Sequence, residues 1–321
     1  MTEPSRSQPT PRVLLVATVR DEGPFLLEWI AYHRLIGFTD LILCSNDCAD
    51  DSPALLDRLA ARGLIRHLRC TPPPGAAAQL FAYQAAERAI AGAWPEAVMV
   101  LDADEFLLVH VGDHSVGALL AAVPEATSIA INWRIFGSGG ARAFAPEPVT
   151  SRFRRAAPRD HGVNWSFKTL CRTPDAYHCP LLPHGPGHAK QARAPALRAV
   201  DGAGRPLPPA FARAEAFLQS APGTVRWDLA QVNHYNTRAW EDYCVKHWRG
   251  GGLGPERWDR AANWAIFDRN EEADEALLAY HPDLPDAMAA LRADPETRAA
   301  EARCVAAYRA HIARLAEAEA A

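Results

Sequence analysis

The stretch Ala97–Val109 constrains this chain more than any other. An apolar run from Ala97 to Leu101 meets Asp102, Asp104 and Glu105, then resumes from Phe106 to Val109. The first run reads as a strand buried on both faces, as in the middle of a parallel sheet. The carboxylates then fall at that strand's carboxyl end, the edge where open α/β sheets bind ligands. Three acidic groups in four residues repel one another, and desolvating them beside a hydrophobic sheet is costly. A divalent cation relieves both problems. Hard oxygen ligands suit Mg²⁺ or Mn²⁺, which would in turn hold a diphosphate. The competing reading makes Asp102 and Asp104 solvated turn residues.

Ahead of that stretch, strand and helix patterns alternate. Val13–Val19 is an apolar, β-branched run. Asp21 is placed to cap the next helix, with Pro24 in its first turn. Phe25, Leu26, Trp29, Ile30, His33 and Ile36 recur at helical spacing up to Gly37, a stop signal. His33 lies on that stripe and reads as a packed histidine rather than a ligand. Leu41–Ser45 is the next strand and runs into a polar turn from Asn46 to Ser52. Leu55–Ala61, Leu64–Leu68 and Ala76–Ala91 then read as helix, strand and helix. The βαβαβαβ order implies an α/β fold with a doubly wound, mostly parallel sheet flanked by helices. Neither G-x-G-x-x-G nor G-x-x-x-x-G-K-[ST] occurs, so phosphate would be held another way, which again favours a cation at Asp102 and Asp104.

Composition sets the outer limits. With 321 residues, 49% of them hydrophobic, the chain can bury a large core. A net charge of -4 gives no sign of a nucleic-acid partner. The seven cysteines are scattered without zinc-like spacing and read as small core residues of a reducing compartment. Residues 1–12 are polar and Pro/Ser-rich; they read as disordered and lack the apolar core of a signal peptide. No window is apolar for long enough to span a bilayer. The expectation is a cytoplasmic protein, with peripheral attachment to a membrane left open.

Further along, Ser115–Val123 reads as a helix and Ser128–Phe136 as a strand. Gly137–Gly140 is a loop that a ligand or another backbone segment approaches closely. Arg142, Arg152, Arg154, Arg155 and Arg159 form a basic stretch, either a solvated surface or a rim that attracts a phosphorylated substrate. Phe167–Cys171 is a strand carrying Lys168; the other lysines are Lys190 and Lys246. Pro180–Pro209 reads as an irregular excursion with His184 and His188 on it. Order returns from Val225 through Asn233, His234 and Tyr235. Thr237 is placed to cap a helix that ends at Arg249 and Gly250, and the tail from Pro255 is helical by pattern.

Several of these blocks together resemble a known family. Arg20–Phe25 with Glu28, Trp29, Tyr32 and His33 is the first block, and Leu101–Phe106 the second. Ile135–Gly139, Phe167–Thr169, and Asn233–Tyr235 followed by Lys246, Arg249 and Gly250 complete the set. In this order, from Val13 to Gly251, they are similar to family 2-like and family 92-like glycosyltransferases of the GT-A fold. The resemblance implies a GT-A (Rossmann-like) catalytic domain over 13–252 and leaves 253–321 as a helical C-terminal extension. It implies transfer of a sugar from a nucleotide-sugar donor to a glycan or other acceptor hydroxyl, with inversion, in polysaccharide or glycoconjugate synthesis. It also implies Mn²⁺ or Mg²⁺ at Asp102, Asp104 and His234, with Asp102 nearer the ribose. Arg20, Asp21, Glu22, Asn46 and Asp47 would hold base and ribose, and Lys168 a phosphate. Helix capping by Asp21, an Asx-turn at Asn46 and simple strand-end polarity at His234 are the structural alternatives.

Inverting transfer needs a base for the acceptor proton. The family's late carboxylate has no clear counterpart here. Glu147, Asp160 and Asp228 are the candidates, and Asp160, beside His161 in a polar loop, is preferred. Two other classes stay open. A metal-dependent phosphohydrolase or nucleotidyltransferase could use the same carboxylates. Against a phosphatase of the aspartyl-phosphate type stand the motif's place after the fourth strand and Phe106 where a Thr would be expected. The other is a non-catalytic nucleotide- or glycan-binding module, kept open by the missing base.

Overall fold

A computed structural model describes residues 11–214, 219–250 and 259–320. The segment expected to be disordered therefore lies, up to residue 10, outside the described residues, as do Gly251, Gly252 and Pro255. The first half consists of β1 (Val13–Val19), α1 (Leu26–Leu35), β2 (Asp40–Ser45), α2 (Ser52–Ala61), β3 (Arg66–Arg69), α3 (Ala78–Ile90) and β4 (Ala97–Val100). β5 (Glu105–Val109), α4 (Val116–Ala122), β6 (Ser128–Ile135), β7 (Phe167–Cys171), β8 (Ala230–His234) and α5 (Trp240–Arg249) follow. The main helices of the tail are α6 (Leu284–Arg292) and α7 (Pro295–Ala320). Among the described residues no helix is long and apolar enough to cross a membrane.

The main sheet runs β3-β2-β1-β4-β7-β6-β8-β5, with the short strand Ala199–Val200 beside β6. β1 is parallel to β2 and β4, and β2 to β3. β7 runs antiparallel between β4 and β6, and β8 is parallel to β6 but antiparallel to β5. The expected α/β architecture, a mostly parallel sheet flanked by helices with helices at the C-terminal end, is the one observed. β4 is buried throughout and β1 at six of its seven positions, as their unbroken apolar runs require.

The link between β4 and β5 shapes the molecule. On a flat sheet the two strands would stand four spacings apart, about 19 Å. The chain from Val100 to Glu105 reaches only about 17 Å even when fully extended. It is not extended, because Glu105 N donates to Asp102 O at 3.0 Å in a tight turn. The sheet must therefore curl, and the carboxylate turn sits inside the curl.

α1 fills the concave side. Every residue from Leu26 to His33 is buried, because the sheet lies on one side and α6 on the other. Its polar groups bond to backbone. Trp29 Nε1 donates to Glu105 O at 2.9 Å and to Asp102 O at 3.1 Å, and the Tyr32 hydroxyl donates to Leu107 O at 2.6 Å. Glu28 accepts from Val149 N, Thr150 N and the Thr150 hydroxyl at 2.6–3.0 Å. His33 is packed, as expected: Nδ1 lies 2.8 Å from Trp29 O, and burial pushes its pKa down to about 3.

The tail shares this core. Leu284, Met288, Leu291, Cys304 and Tyr308 are buried with the residues of β1 and α1. Tyr308 meets Phe25 edge-on, and Arg58 pairs with Asp294 at 2.6 Å. A Cβ on Gly23 would lie 2.5 Å from Cys304 Cβ, so the closeness of α7 requires glycine there. Gly137 plays the same part beside the Arg269 carbonyl. The close approach at the Gly137–Gly140 loop is thus made by backbone of the tail.

Two capping expectations are corrected. Asp21 does not cap α1; Oδ1 accepts from Ala49 N at 2.6 Å and Asp50 N at 3.0 Å, bracing the loop after β2. The cause is the extra turn at Gly23–Phe25, which starts the helix later than the sequence suggests. Thr237 does not cap α5, since its hydroxyl donates to Phe136 O. Asp242 Oδ2 instead accepts from Ala239 N at 3.0 Å. The segment from Pro180 to Pro209 contains two short strands at Gly187–Ala189 and Ala199–Val200 and one short turn at Ala194–Ala196.

Candidate active site

Asp102, Ala103 and Asp104 form the turn inside the curl. α1 grips it through Trp29, and β8 grips it through Tyr235 N, which donates to Asp104 O at 2.9 Å. Successive side chains leave the turn in different directions. Asp102 turns toward β7 and α3: Lys168 Nζ donates to Oδ2 at 2.9 Å and Gln79 Nε2 to Oδ1 at 3.0 Å. Asp104 turns toward β8 and α5: His234 Nε2 lies 3.6 Å from Oδ1 and Lys246 Nζ 2.5 Å from Oδ2. Glu105 points inward, opposite His234 in the β5–β8 register.

These groups border a cleft of about 370 Å³ at the carboxyl ends of β1, β2 and β4. Arg20, Glu22, Asn46, Gln79, Asp102, Asp104, Trp133, His184, His234, Lys246 and Arg249 all line it. Other cavities lie elsewhere, at the opposite ends of β1 and β2 and beside the excursion; their linings lack the carboxylate, histidine and lysine cluster that marks this cleft.

The charges in the cleft are balanced in pairs. Burial alone would raise the pKa of Asp104, but Lys246, His234 and Arg238 overcome it and hold the carboxyl well below its usual range. Glu22 is likewise lowered: burial opposes its charge, and the guanidiniums of Arg238 and Arg249 prevail. Lys168, 1% exposed at its side chain, bridges Asp102 Oδ2 and Glu105 Oε2 at 2.9 Å each. Burial disfavours its charge, yet the two carboxylates raise its pKa. Glu105 is fully buried, and burial raises its pKa to about 7 against the pull of Lys168.

The donor set fits a hard divalent cation in part. Asp104 Oδ1 and His234 Nε2 are an oxygen and an imidazole nitrogen close enough to share one ion. Behind them, His234 Nδ1 and Glu105 Oε1 are buried without hydrogen-bond partners and stand 3.8 Å apart. A carboxylate behind a histidine commonly orients that histidine on a metal. The expected third ligand, Asp102, is instead turned to Lys168 and Gln79. Among the described residues the one place where three ligand atoms lie within 4.8 Å of one another is Asp21, Cys48 and Asp50. Of the ligand set expected at Asp102, Asp104 and His234, the structure brings Asp104 and His234 together and turns Asp102 to Lys168 and Gln79.

Of the other expected residues, Arg20, Glu22 and Asn46 line the cleft; Asp21, Asp47 and Lys168 do not. Lys168, expected at a phosphate, faces Asp102 and Glu105 and braces the turn between them. Asp160 does not line this cleft; its side chain is 62% exposed beside Arg159. Glu147 and Asp228 are exposed as well. None of the basic stretch lines the cleft, and two of its members bind the tail: Arg154 pairs with Glu275, and Arg155 donates to Asn270 O and Glu271 O.

Sequence reasoning gave no role to Gln79, Trp133, Asn236, Arg238 or Lys246. Lys246 meets Asp104 across 142 residues, a separation that no local pattern reports. The available signals were the scarcity of lysine and the place of Lys246 in the last block of the resemblance.

No protein-family model matches the chain, and no curated protein matches it. Among solved structures it is similar to a mannosyltransferase from Pyrobaculum calidifontis in complex with GDP-Man and Mn²⁺. There the identity is 15%, with 97% of this chain and 81% of that one covered at a TM-score of 0.38. It is similar to residues 1–349 of S. aureus TarS at 10% identity, with 84% and 71% covered and a TM-score of 0.34. A third is glucosyl-3-phosphoglycerate synthase from Mycobacterium tuberculosis in complex with Mn²⁺, UDP and glucosyl-3-phosphoglycerate. Here identity is 15%, coverage 39% of this chain and 44% of that one, and the TM-score 0.25. The likenesses are of backbone only, and the chemistry of this chain is read from its own residues.

Proposed function

We propose that this chain is a metal-dependent glycosyltransferase that moves a sugar from a nucleotide-sugar donor to a hydroxyl of a glycan or related acceptor. The observation that carries this reading is the pairing of Asp104 Oδ1 and His234 Nε2, 3.6 Å apart, in a cleft at the carboxyl edge of the sheet. A divalent ion there, Mn²⁺ or Mg²⁺, supplies Lewis-acid charge for the departing diphosphate. Asp104 and His234 would hold it, with diphosphate oxygens completing the shell, the usual arrangement for Mg²⁺ on few carboxylates. Arg20 and Asn46 wall the end of the cleft nearest β1 and β2, where a nucleoside fits. Asp102, fixed by Lys168 and Gln79, would accept from a ribose hydroxyl. Trp133 and His184, with ring centroids 5.5 Å apart, give the other end an aromatic wall suited to a sugar ring. A single displacement, in which the acceptor oxygen bonds the anomeric carbon as its bond to the diphosphate breaks and the hydroxyl proton passes to solvent, would invert that carbon, and a sugar acceptor would set the reaction in polysaccharide or glycoconjugate synthesis.

One observation favours a second reading, a module that binds nucleotide or glycan without turnover. Each carboxylate lining the cleft is held by a cation: Glu22 by Arg238 and Arg249, Asp102 by Lys168, Asp104 by Lys246. A thermal-shift screen of UDP, GDP and their sugar conjugates with and without Mn²⁺ tests the first reading. It predicts a rise in Tm that needs both nucleotide and ion, followed by release of nucleoside diphosphate on adding saccharide acceptors. Stabilisation without any release across donors and acceptors would leave the binding module.

A further inference from the structure

We propose that Lys246 is the diphosphate-binding cation of this site, held on Asp104 until a divalent ion takes its place there. The inference rests on the metal-dependent reading above and gives that site an order of loading. Lys246 Nζ stands 2.5 Å from Asp104 Oδ2 and 2.5 Å from Asn236 Oδ1. An ammonium and a divalent cation beside one carboxylate repel each other strongly at such distances. Taking up the ion therefore weakens the grip of Asp104 on Lys246.

The other carboxylate-paired cations near the cleft, Arg249, Arg238 and Lys168, are fixed more firmly, and Arg20 has no carboxylate to exchange among the described residues. Arg249 is 12% exposed at its side chain and bonds to Glu22 and to the Arg20 carbonyl, and Arg20 in turn donates to Arg249 O at 3.0 Å. Arg238 is buried against Glu22, and Lys168 is buried between Asp102 and Glu105. Lys246 is 34% exposed, on the last turns of α5, with four flexible methylenes and a compact ammonium. It is the cleft-lining cation best able to leave its present carboxylate for a phosphate oxygen nearby. Asn236 remains as a second acceptor near the start of that path.

The exchange gives opposite signs for the two ligands. Without nucleotide, Lys246 competes with the ion for Asp104. With nucleotide, the displaced ammonium moves to the diphosphate and the competition ends. The ion and the nucleoside diphosphate should therefore bind cooperatively.

The test is calorimetric titration of Mn²⁺ alone, and of UDP and GDP with saturating Mn²⁺, into the wild type, Lys246→Gln and Lys246→Arg. Lys246→Gln should bind Mn²⁺ alone about tenfold more tightly than the wild type and the preferred nucleotide about tenfold more weakly. Lys246→Arg should recover much of the nucleotide affinity, which also guards against a folding defect in the glutamine variant. Equal Mn²⁺ affinity in wild type and Lys246→Gln overturns the exchange, and equal nucleotide affinity overturns the phosphate contact. A wild type that takes no Mn²⁺ even with nucleotide present overturns the metal-dependent reading itself and the exchange with it.

Discussion

Two groups of buried polar side chains flank the turn at Asp102–Glu105, and they are satisfied in different ways. On the α1 side, Glu28, Trp29, Tyr32 and His33 bond largely to backbone atoms. On the cleft side, Asp104, Glu105 and His234, with the partly exposed Lys246, are held mainly by one another's charges, and two of their buried polar atoms have no hydrogen-bond partner. Backbone partners cannot move without unfolding, so the first group is part of the scaffold. Charge partners can be exchanged for an ion or a phosphate, and the second group stands ready for that exchange. Burial of a polar residue says little about its role until its partners are known.

That contrast can be broken by substitution. Glu28→Ala leaves two backbone N–H groups and one hydroxyl without their acceptor. It should cost about 3 kcal/mol or more in urea unfolding. A loss under about 1 kcal/mol would mean that the α1 group is less structural than its bonds suggest. A smaller effect is expected at His33, and only in acid. Its ring stays neutral in the fold down to about pH 3, whereas the unfolded chain takes a proton near 6.5. Between these values the unfolded state binds more protons, so stability falls as pH drops through that window. From pH 7 to pH 5 this contribution is about 2 kcal/mol. His33→Phe should remove that part of the slope, and an unchanged slope would contradict the assignment. The smallest effect belongs to Asp160. It is exposed and outside the cleft, so Asp160→Asn should leave donor turnover within about twofold and stability within about 0.5 kcal/mol. A large loss of turnover would restore it as the base.

The same contrast explains what the sequence reveals. Strands β1, β2 and β4 and helix α1 are legible because period and apolar content report burial directly. The carboxylate turn is legible because an apolar run that breaks into acids has few structural explanations. Its partners are harder to read. Whether Asp102 faces an ion or Lys168 depends on β7, which arrives 66 residues later. The fate of Asp21 turned on one extra helical turn at Gly23–Phe25, below the resolution of any spacing rule. The excursion carried no periodic signal, yet its His184 enters the cleft wall.

The central claim is that Asp104 serves a ligand as well as the fold. Its carboxylate is buried beside Lys246, His234 and Arg238, so Asp104→Asn should also lower stability, and urea unfolding of the variant establishes its folded fraction before binding is compared. Calorimetry of UDP or GDP in the presence of Mn²⁺ is the direct measurement. The account predicts binding to the wild type and a loss of about 100-fold in Asp104→Asn. Equal affinity in the two proteins, or no binding of either nucleotide to the wild type with the ion present, would contradict it.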